Sequence, residues 1–312
     1  MSSPKITILL AAYNSEKYIA ELLDSLLCQS FSDFDILACD DISSDSTRAI
    51  LDSYACKSEK IKILEATAQS GGAQNNFFRL LLSCQDSDYI MFCDDDDVWL
   101  PRKVEKTFNF MQNLEAVYGK EKPLLVHGDA SVADNDLNII AKSLFSYEGL
   151  SPERTSLREL LVQNNITGCT VMINRSLRNL IQSQPQSSVM HDWWLGLCAS
   201  AFGKIGVIYE PLLLYRQHKD NQVGAYNASD AVASLKRLFD RKRNNHIYKQ
   251  MFAQAACFAD TFEFSLDSHD LKLCRAYASL SSKNKLARIV TLVKYRFFKN
   301  TLLRNIGQFI AI

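Results

Sequence analysis

Between Lys5 and Asp97 short apolar runs alternate with amphipathic stretches, and three of the runs break off into polar or acidic clusters. The first run, Ile6 to Ala12, is too continuously apolar for a strand with one face in water, which predicts a strand covered on both faces. Ser15, Glu16 and Lys17 then open a helix in which Ile19, Leu22, Leu23, Leu26 and Leu27 recur at helical spacing. The same pattern predicts strands at 34–39, 61–64 and 89–93 and helices at 48–55 and 75–83. Such alternation builds an α/β fold around a doubly wound, mainly parallel sheet, with ligands beyond the carboxyl ends of the strands. Asn14, Asp41 and the run Asp94 to Asp97 stand at such ends, so they are expected around one crevice.

Further along, a helix is predicted at 104–118 and a strand at 124–127, followed by less regular sequence to about Gln222. From Ala231 onward the pattern is mostly helical, with Ser229 and Asp230 as N-cap candidates. Charge changes at the same place. Up to Ser234 there are 20 Lys and Arg against 30 Asp and Glu, and beyond it 15 against 5, although the whole chain is neutral. We therefore expect a domain at 1–228 and a basic, mostly helical C-terminal region at 229–312. In that region Val290, Leu292, Val293, Tyr295, Phe297, Phe298, Leu302, Leu303, Ile306, Phe309 and Ile310 alternate with Lys294, Arg296, Lys299 and Arg304, apolar enough to dock and too charged to span. The expected roles are peripheral contact with anionic lipid, packing on the first domain, or a homo-oligomer contact. No aromatic-interleaved basic strand accompanies the charge, so nucleic acid is not an expected partner. The longest uncharged stretch, Leu160 to Asn174, holds Gln163, Asn164, Asn165 and Thr167 and cannot cross a bilayer. The start of the chain has no secretory-signal pattern, so a cytoplasmic protein is expected, peripheral at most on the inner membrane face. The nine cysteines are scattered singly and read as small buried hydrophobes rather than disulfide or zinc ligands.

Four consecutive carboxylates on a buried strand end repel one another unless something compensates them, and a hard divalent cation with oxygen ligands does so. Mg2+ needs only one or two protein carboxylates and usually shares its shell with phosphates, which points to a phosphorylated ligand. Neither G-x-G-x-x-G after the first strand nor G-x-x-x-x-G-K-[ST] is present, so a nucleotide would be held another way. Asp41 could cap the following helix or accept the imide N–H of uracil or thymine. In His191-Asp192-Trp193-Trp194, Asp192 is either an N-cap or a proton acceptor whose pKa is raised by apolar flanks. The two Trp rings either fill the core or face a sugar.

The strand ending Ala11-Ala12-Tyr13-Asn14, the Asp40-Asp41 turn, Phe92-Cys93-Asp94-Asp95-Asp96-Asp97 and His191-Asp192-Trp193-Trp194 occur in the order found in family 2 glycosyltransferases, which the first 225 or so residues resemble. Thr167-Gly168-Cys169-Thr170 and Tyr215-Arg216-Gln217-His218 resemble the bacterial rhamnosyltransferase branch. The resemblance implies a GT-A fold, an inverting mechanism, a nucleotide-diphosphate sugar donor, and Mg2+ or Mn2+. It implies dTDP-L-rhamnose as donor and a glycan or lipid-linked glycan as acceptor, with a UDP-hexose donor or a non-catalytic carbohydrate-binding protein as alternatives. Carried across position by position, it places Asp41 on the base, Ala11, Ala12 and Tyr13 along the same pocket, Asp94 near the ribose, Asp96 on the metal and Asp192 as catalytic base. Asp94 and His218 are further metal candidates, and Asp95, which stands where related sequences often carry Gln, is a further donor-binding candidate.

Overall fold

The structure is a computed structural model and describes residues 5–219, 224–228, 230, 236 and 240–312. In chain order the first half runs β1 (Ile6–Ala12), α1 (Ile19–Leu27), β2 (Phe34–Asp40), α2 (Thr47–Lys57), β3 (Ile61–Ile63), α3 (Ala73–Ser83), β4 (Tyr89–Cys93), β5 (Val98–Trp99) and α4 (Lys103–Tyr118). Then come β6 (Leu124–Ala133), β7 (Ile139–Ala141), α5 (Leu144–Glu148), α6 (Leu157–Val162), β8 (Met172–Asn174), α7 (Arg175–Arg178), α8 (His191–Phe202) and β9 (Lys204–Arg216). Four helices close the chain: α9 (Arg241–Thr261), α10 (Ser268–Ala278), α11 (Lys285–Tyr295) and α12 (Leu302–Ala311).

All seven residues of β1 and all five of β4 are buried, as continuous apolar strands between two helical layers must be. The sheet order is β3-β2-β1-β4-β8-β6-β9-β5, with β7 on β6. Strands β1 to β4, β6 and β9 point one way, and β5, β7 and β8 oppose them. The sheet is therefore mainly parallel, and β1, β2 and β4 deliver Tyr13, Asp41 and Asp94 to the same edge.

Two stretches depart from the sequence expectation. Strand β6 continues to Ala133, and the region read as irregular contains the 13-residue β9. Glu210 and Pro211 hide that strand, because Pro211 has no ladder N–H and breaks the apolar pattern. The sheet absorbs it through register shifts on β6 on both sides of Asp129, which pairs with Pro211. Among the cysteines, Cys28 and Cys56 are exposed and Cys257 half-buried, against the expectation that all are interior; the other six are buried.

Each C-terminal helix begins on a side chain that accepts an otherwise orphaned N–H: Asp240 from Arg243 (3.0 Å), Asp267 from Asp270 (2.8 Å), Asn284 from Ala287 (3.0 Å) and Thr301 from Arg304 (3.3 Å). Such caps are worth about 1 kcal/mol each. Ser229 and residues 231–235, where an N-cap and helix start were expected, lie outside the described residues. These helices share a core with the sheet's helical cover: the Trp194 ring of α8 lies 5.3 Å from Phe258 and 6.4 Å from Phe262, and Tyr277 meets Phe252 and Phe297 at 5.2 and 5.0 Å. Leu292 and Phe297 are fully buried, whereas Leu286, Val290 and Val293 on α11 and Leu302, Leu303, Ile306 and Ile310 on α12 are exposed. Among the described residues no helix is long and apolar enough to cross a membrane.

Candidate active site

A cavity of about 820 Å³ opens at the carboxyl ends of β1, β2 and β4. Ala11, Ala12, Tyr13, Asp41, Asp94, Asp95, Asp96 and His218 all line it. Its rim is laced by the β1–α1 and β2–α2 turns. Asn14, in the left-handed region at φ 51°, gives its N–H to Ser43 (2.9 Å) and accepts from the Ser44 N–H (2.8 Å). Glu16 and Asp45 accept backbone hydrogen bonds across the same turns (2.9 and 3.1 Å). Ser46 precedes α2 without a side-chain cap. The polar residues expected to cap α2 are thus engaged largely in holding the two loops together.

Asp41 is buried, and its carboxylate accepts the Ser70 N–H (2.6 Å), the Ser70 hydroxyl (2.7 Å) and an Arg79 guanidinium N–H (3.1 Å). A carboxylate has about four acceptor positions, so one is left, on Oδ2, for an N–H of a ligand. The Arg79 guanidinium packs behind it as an ion pair (3.1 Å).

The acids after β4 divide by direction. Asp95 is tied to the end of β1 through the Tyr13 backbone N–H (2.7 Å), which with Ser15 opposes the upward pKa shift that burial and Asp96 cause. Asp96 meets His218 Nε2 at 2.9 Å, and that imidazole stacks on Tyr18 at 4.6 Å. Burial first, then Asp96, Asp95 and Asp192, raise the Asp94 carboxyl. Asp97 is fully buried; one oxygen takes the Arg216 N–H (3.1 Å) and the other has no hydrogen-bond partner among the described residues. Two cations temper the cluster from behind. Arg216 donates to the Asp96 carbonyl (2.7 Å), and fully buried Lys103 donates to the Cys169 carbonyl (2.5 Å) with its ammonium 3.3 Å from the Trp99 ring centroid. Burial pushes the Lys103 pKa down to about 8, opposed by nearby Asp97 and Asp94.

Carboxylates raised by burial and then by one another's charge, one with an orphaned oxygen, are a donor set suited to a hard divalent cation. Asp94, Asp97 and Cys169 also place ligand atoms within 4.8 Å of one another. Burial holds the Cys169 thiol protonated, however, and a soft sulfur suits such an ion poorly. Asp94 and Asp96 open into the cavity and could offer oxygen ligands instead, with His218 alongside.

Asp192 does not line the cavity, although Met190 does, and it lies close enough for its charge to raise Asp94. It is not the N-cap of α8, a position taken by Met190, but sits in the first turn. Its Oδ1 accepts the Trp193 N–H (2.7 Å) and its Oδ2 the Asn164 side-chain amide (3.3 Å). Burial pushes its pKa up to about 6 against these bonds and one from the Gly168 backbone. A Cβ on Gly168 would stand 3.0 Å from the His191 ring, so glycine lets this turn approach α8. Contrary to the expectation that they face a sugar, neither Trp lines the cavity. Trp193 is bonded through its indole N–H to the Leu160 carbonyl (2.6 Å), Trp194 packs on α9, and both rings are buried in the core.

The family model described as Glycosyl transferase family 2 matches residues 7–180. The chain belongs to glycosyltransferase family 2. Among relatives of this family 2 enzyme, dTDP-rhamnosyl transferase RfbG of Shigella flexneri is 30% identical over 271 residues, covering 80% of this chain and 85% of that protein. UDP-Glc:alpha-D-GlcNAc-diphosphoundecaprenol beta-1,3-glucosyltransferase WfgD of Escherichia coli is 27% identical, covering 83% and 87%. The crystal structure of S. aureus TarS 1–349 in complex with UDP-GlcNAc superposes with a TM-score of 0.56 at 18% identity, covering 93% of this chain and 80% of that one. The fold of this glycosyltransferase is accordingly GT-A.

Sequence reasoning missed the residues that condition the site: Ser70 and Arg79 around Asp41, Lys103 behind the acids, and Asn164 on Asp192. Only Arg79 left a trace, as a cation interrupting the apolar run Phe77 to Leu82.

Proposed function

We propose that this glycosyltransferase moves L-rhamnose from dTDP-L-rhamnose, with inversion, onto a glycan or lipid-linked glycan in surface polysaccharide synthesis. The observation that carries the reading is the convergence of Asp41, the acids Asp94 to Asp96 and His218 on one cavity, with buried Asp192 outside the lining but near enough to Asp94 to raise its pKa. Asp41 receives the base N–H, and the β1 end from Ala11 to Tyr13 lines the same pocket. Asp192 takes the proton of the acceptor hydroxyl as its oxygen bonds to the anomeric carbon, while the bond from that carbon to the diphosphate breaks and its electron pair leaves with the nucleotide. When bound at Asp94 and Asp96, Mg2+ or Mn2+ supplies charge to stabilise that leaving group. Residues 1–228 hold this chemistry, and residues 229–312 brace and localise it.

The rhamnosyl donor is supported by the likeness to RfbG; the likeness to WfgD favours a UDP-hexose as the second reading. Purified enzyme given dTDP-L-rhamnose, UDP-glucose and UDP-galactose with Mg2+ should release nucleoside diphosphate from the first at least tenfold faster. Release from UDP-hexoses alone overturns the donor and leaves the reaction class, whereas release from none favours a non-catalytic binding protein.

Peripheral contact with the inner membrane face is supported by the exposed apolar faces of α11 and α12, bordered by exposed Lys285, Lys294 and Arg296. Each cation near anionic headgroups contributes about 1 kcal/mol, screened by salt, while the apolar face adds a salt-resistant part. Vesicles rich in anionic lipid should float the protein at low salt and recover much less of Leu302→Ser combined with Ile306→Ser. Equal recovery of both, or of neither, makes the face a packing or oligomer surface. Deleting α9 to α12 is a poorer test, because it strips Phe258 and Phe262 from Trp194.

A further inference from the structure

We infer that a second cavity, of about 420 Å³ between α9 and α12, binds the phosphate or diphosphate group that carries the acceptor sugar. The inference rests on the glycosyl-transfer reading above and adds a subsite to it.

Arg243, Lys299 and Arg304 line this cavity together with Tyr226 and Tyr248, and no carboxylate does among the described lining residues. Of the nearby acids, Asp240 caps α9, and Glu148 accepts the Tyr226 N–H (3.0 Å) while its charge partly offsets that of Arg304, which leaves Arg243 and Lys299 as the cations facing the cavity. Lys299 has its ammonium 5.1 Å from the Tyr248 ring centroid. Burial, then Arg304 and Arg243, push its pKa down to about 8, so the cations repel one another across the cavity. Like charges gathered in a half-buried space are relieved by an anion with several acceptor oxygens, and a diphosphate provides them.

The position of the cavity selects what the anion is attached to. Asn300 follows Lys299, accepts from Arg304 (3.1 Å) and gives its backbone N–H to Gln163 Oε1 (3.3 Å). The residue after Gln163, Asn164, holds Asp192 Oδ2. Two hydrogen bonds, Asn300 to Gln163 and Asn164 to Asp192, therefore link the wall of the cationic cavity to the proton acceptor. An acceptor sugar with its hydroxyl at Asp192 can direct a phosphate toward Lys299. On the outer side, Leu303 lines the cavity and also belongs to the exposed apolar face with Leu302 and Ile306, where a hydrocarbon chain on that phosphate would rest.

Inorganic pyrophosphate titrated calorimetrically into the full-length protein in EDTA, with no metal available to hold it at Asp94 and Asp96, tests the anion site. The wild type should bind, and Lys299→Gln combined with Arg243→Gln should bind at least tenfold more weakly at an unchanged melting temperature. No binding by the wild type, or equal binding by both proteins, overturns the site. Decyl diphosphate distinguishes the two sources of the anion. Tighter binding than pyrophosphate, reduced by Leu303→Ser, assigns a lipid-borne phosphate, and equal binding assigns a soluble sugar phosphate. Nucleoside diphosphate release by the wild type separates the two readings: release without pyrophosphate binding overturns the anion site alone, and pyrophosphate binding without release overturns glycosyl transfer.

Discussion

Replacing Asp192 by Asn should lower turnover by roughly two or more orders of magnitude while leaving donor affinity within about twofold. The amide keeps the size of the side chain and an oxygen for the Trp193 N–H, but it has no basic oxygen for the acceptor proton. The raised pKa sets the sign of the pH dependence. The group must be ionised to accept a proton, so wild-type turnover should fall as pH drops through about 6, and the residual activity of Asp192→Asn should lack that limb. Steady-state rates across pH, with donor binding measured separately, check both statements. Equal losses in affinity and rate would assign Asp192 to the architecture of the α8 terminus.

Asp96→Ala should abolish turnover and remove metal-dependent donor binding, because the cation loses an anchor while the diphosphate keeps its charge. Its effect on stability should run the other way. Asp96 raises the pKa of Asp94, Asp95 and Asp97, so without metal its removal relieves repulsion at neutral pH. Losing the 2.9 Å contact with His218 offsets part of that gain. The metal-free variant should therefore melt no lower than metal-free wild type, and Mn2+ should raise only the wild-type midpoint. Full activity of the variant with metal titrated would remove Asp96 from the site.

The parallel half of the sheet was legible because strands buried on both faces leave unbroken apolar runs. Asp41 and Asp94 were legible because polar residues directly after such runs stand at the exposed ends of the strands. The three carboxylates Asp94 to Asp96 look alike in sequence. Only the approach of β1 distinguishes Asp95, which its Tyr13 N–H draws toward the strand end. Strand β9 escaped notice because Glu210 and Pro211 interrupt it, and their accommodation depends on shifts in the partner strand. Lys103 was unreadable for a different reason: its partners Trp99 and the Cys169 carbonyl lie on segments brought together only by the finished sheet. The two Trp residues carried no local mark of which way they point: the Leu160 carbonyl, upstream, fixes Trp193, and Phe258 and Phe262, far downstream, cover Trp194.

The packing of Trp194 against Phe258 and Phe262 sets an order of events during synthesis. Strands β1, β2 and β4, with the loops that hold Asp41 and the acid cluster, are complete within the first hundred residues of the nascent chain. The helix carrying Asp192 receives its outer support only after Phe262 has left the ribosome, and domains form as their segments emerge. A chain stopped near residue 230 thus has the strand ends proposed to hold the nucleotide sugar and lacks the brace for Asp192, so on the proposed reading truncated products would sequester donor without turning it over.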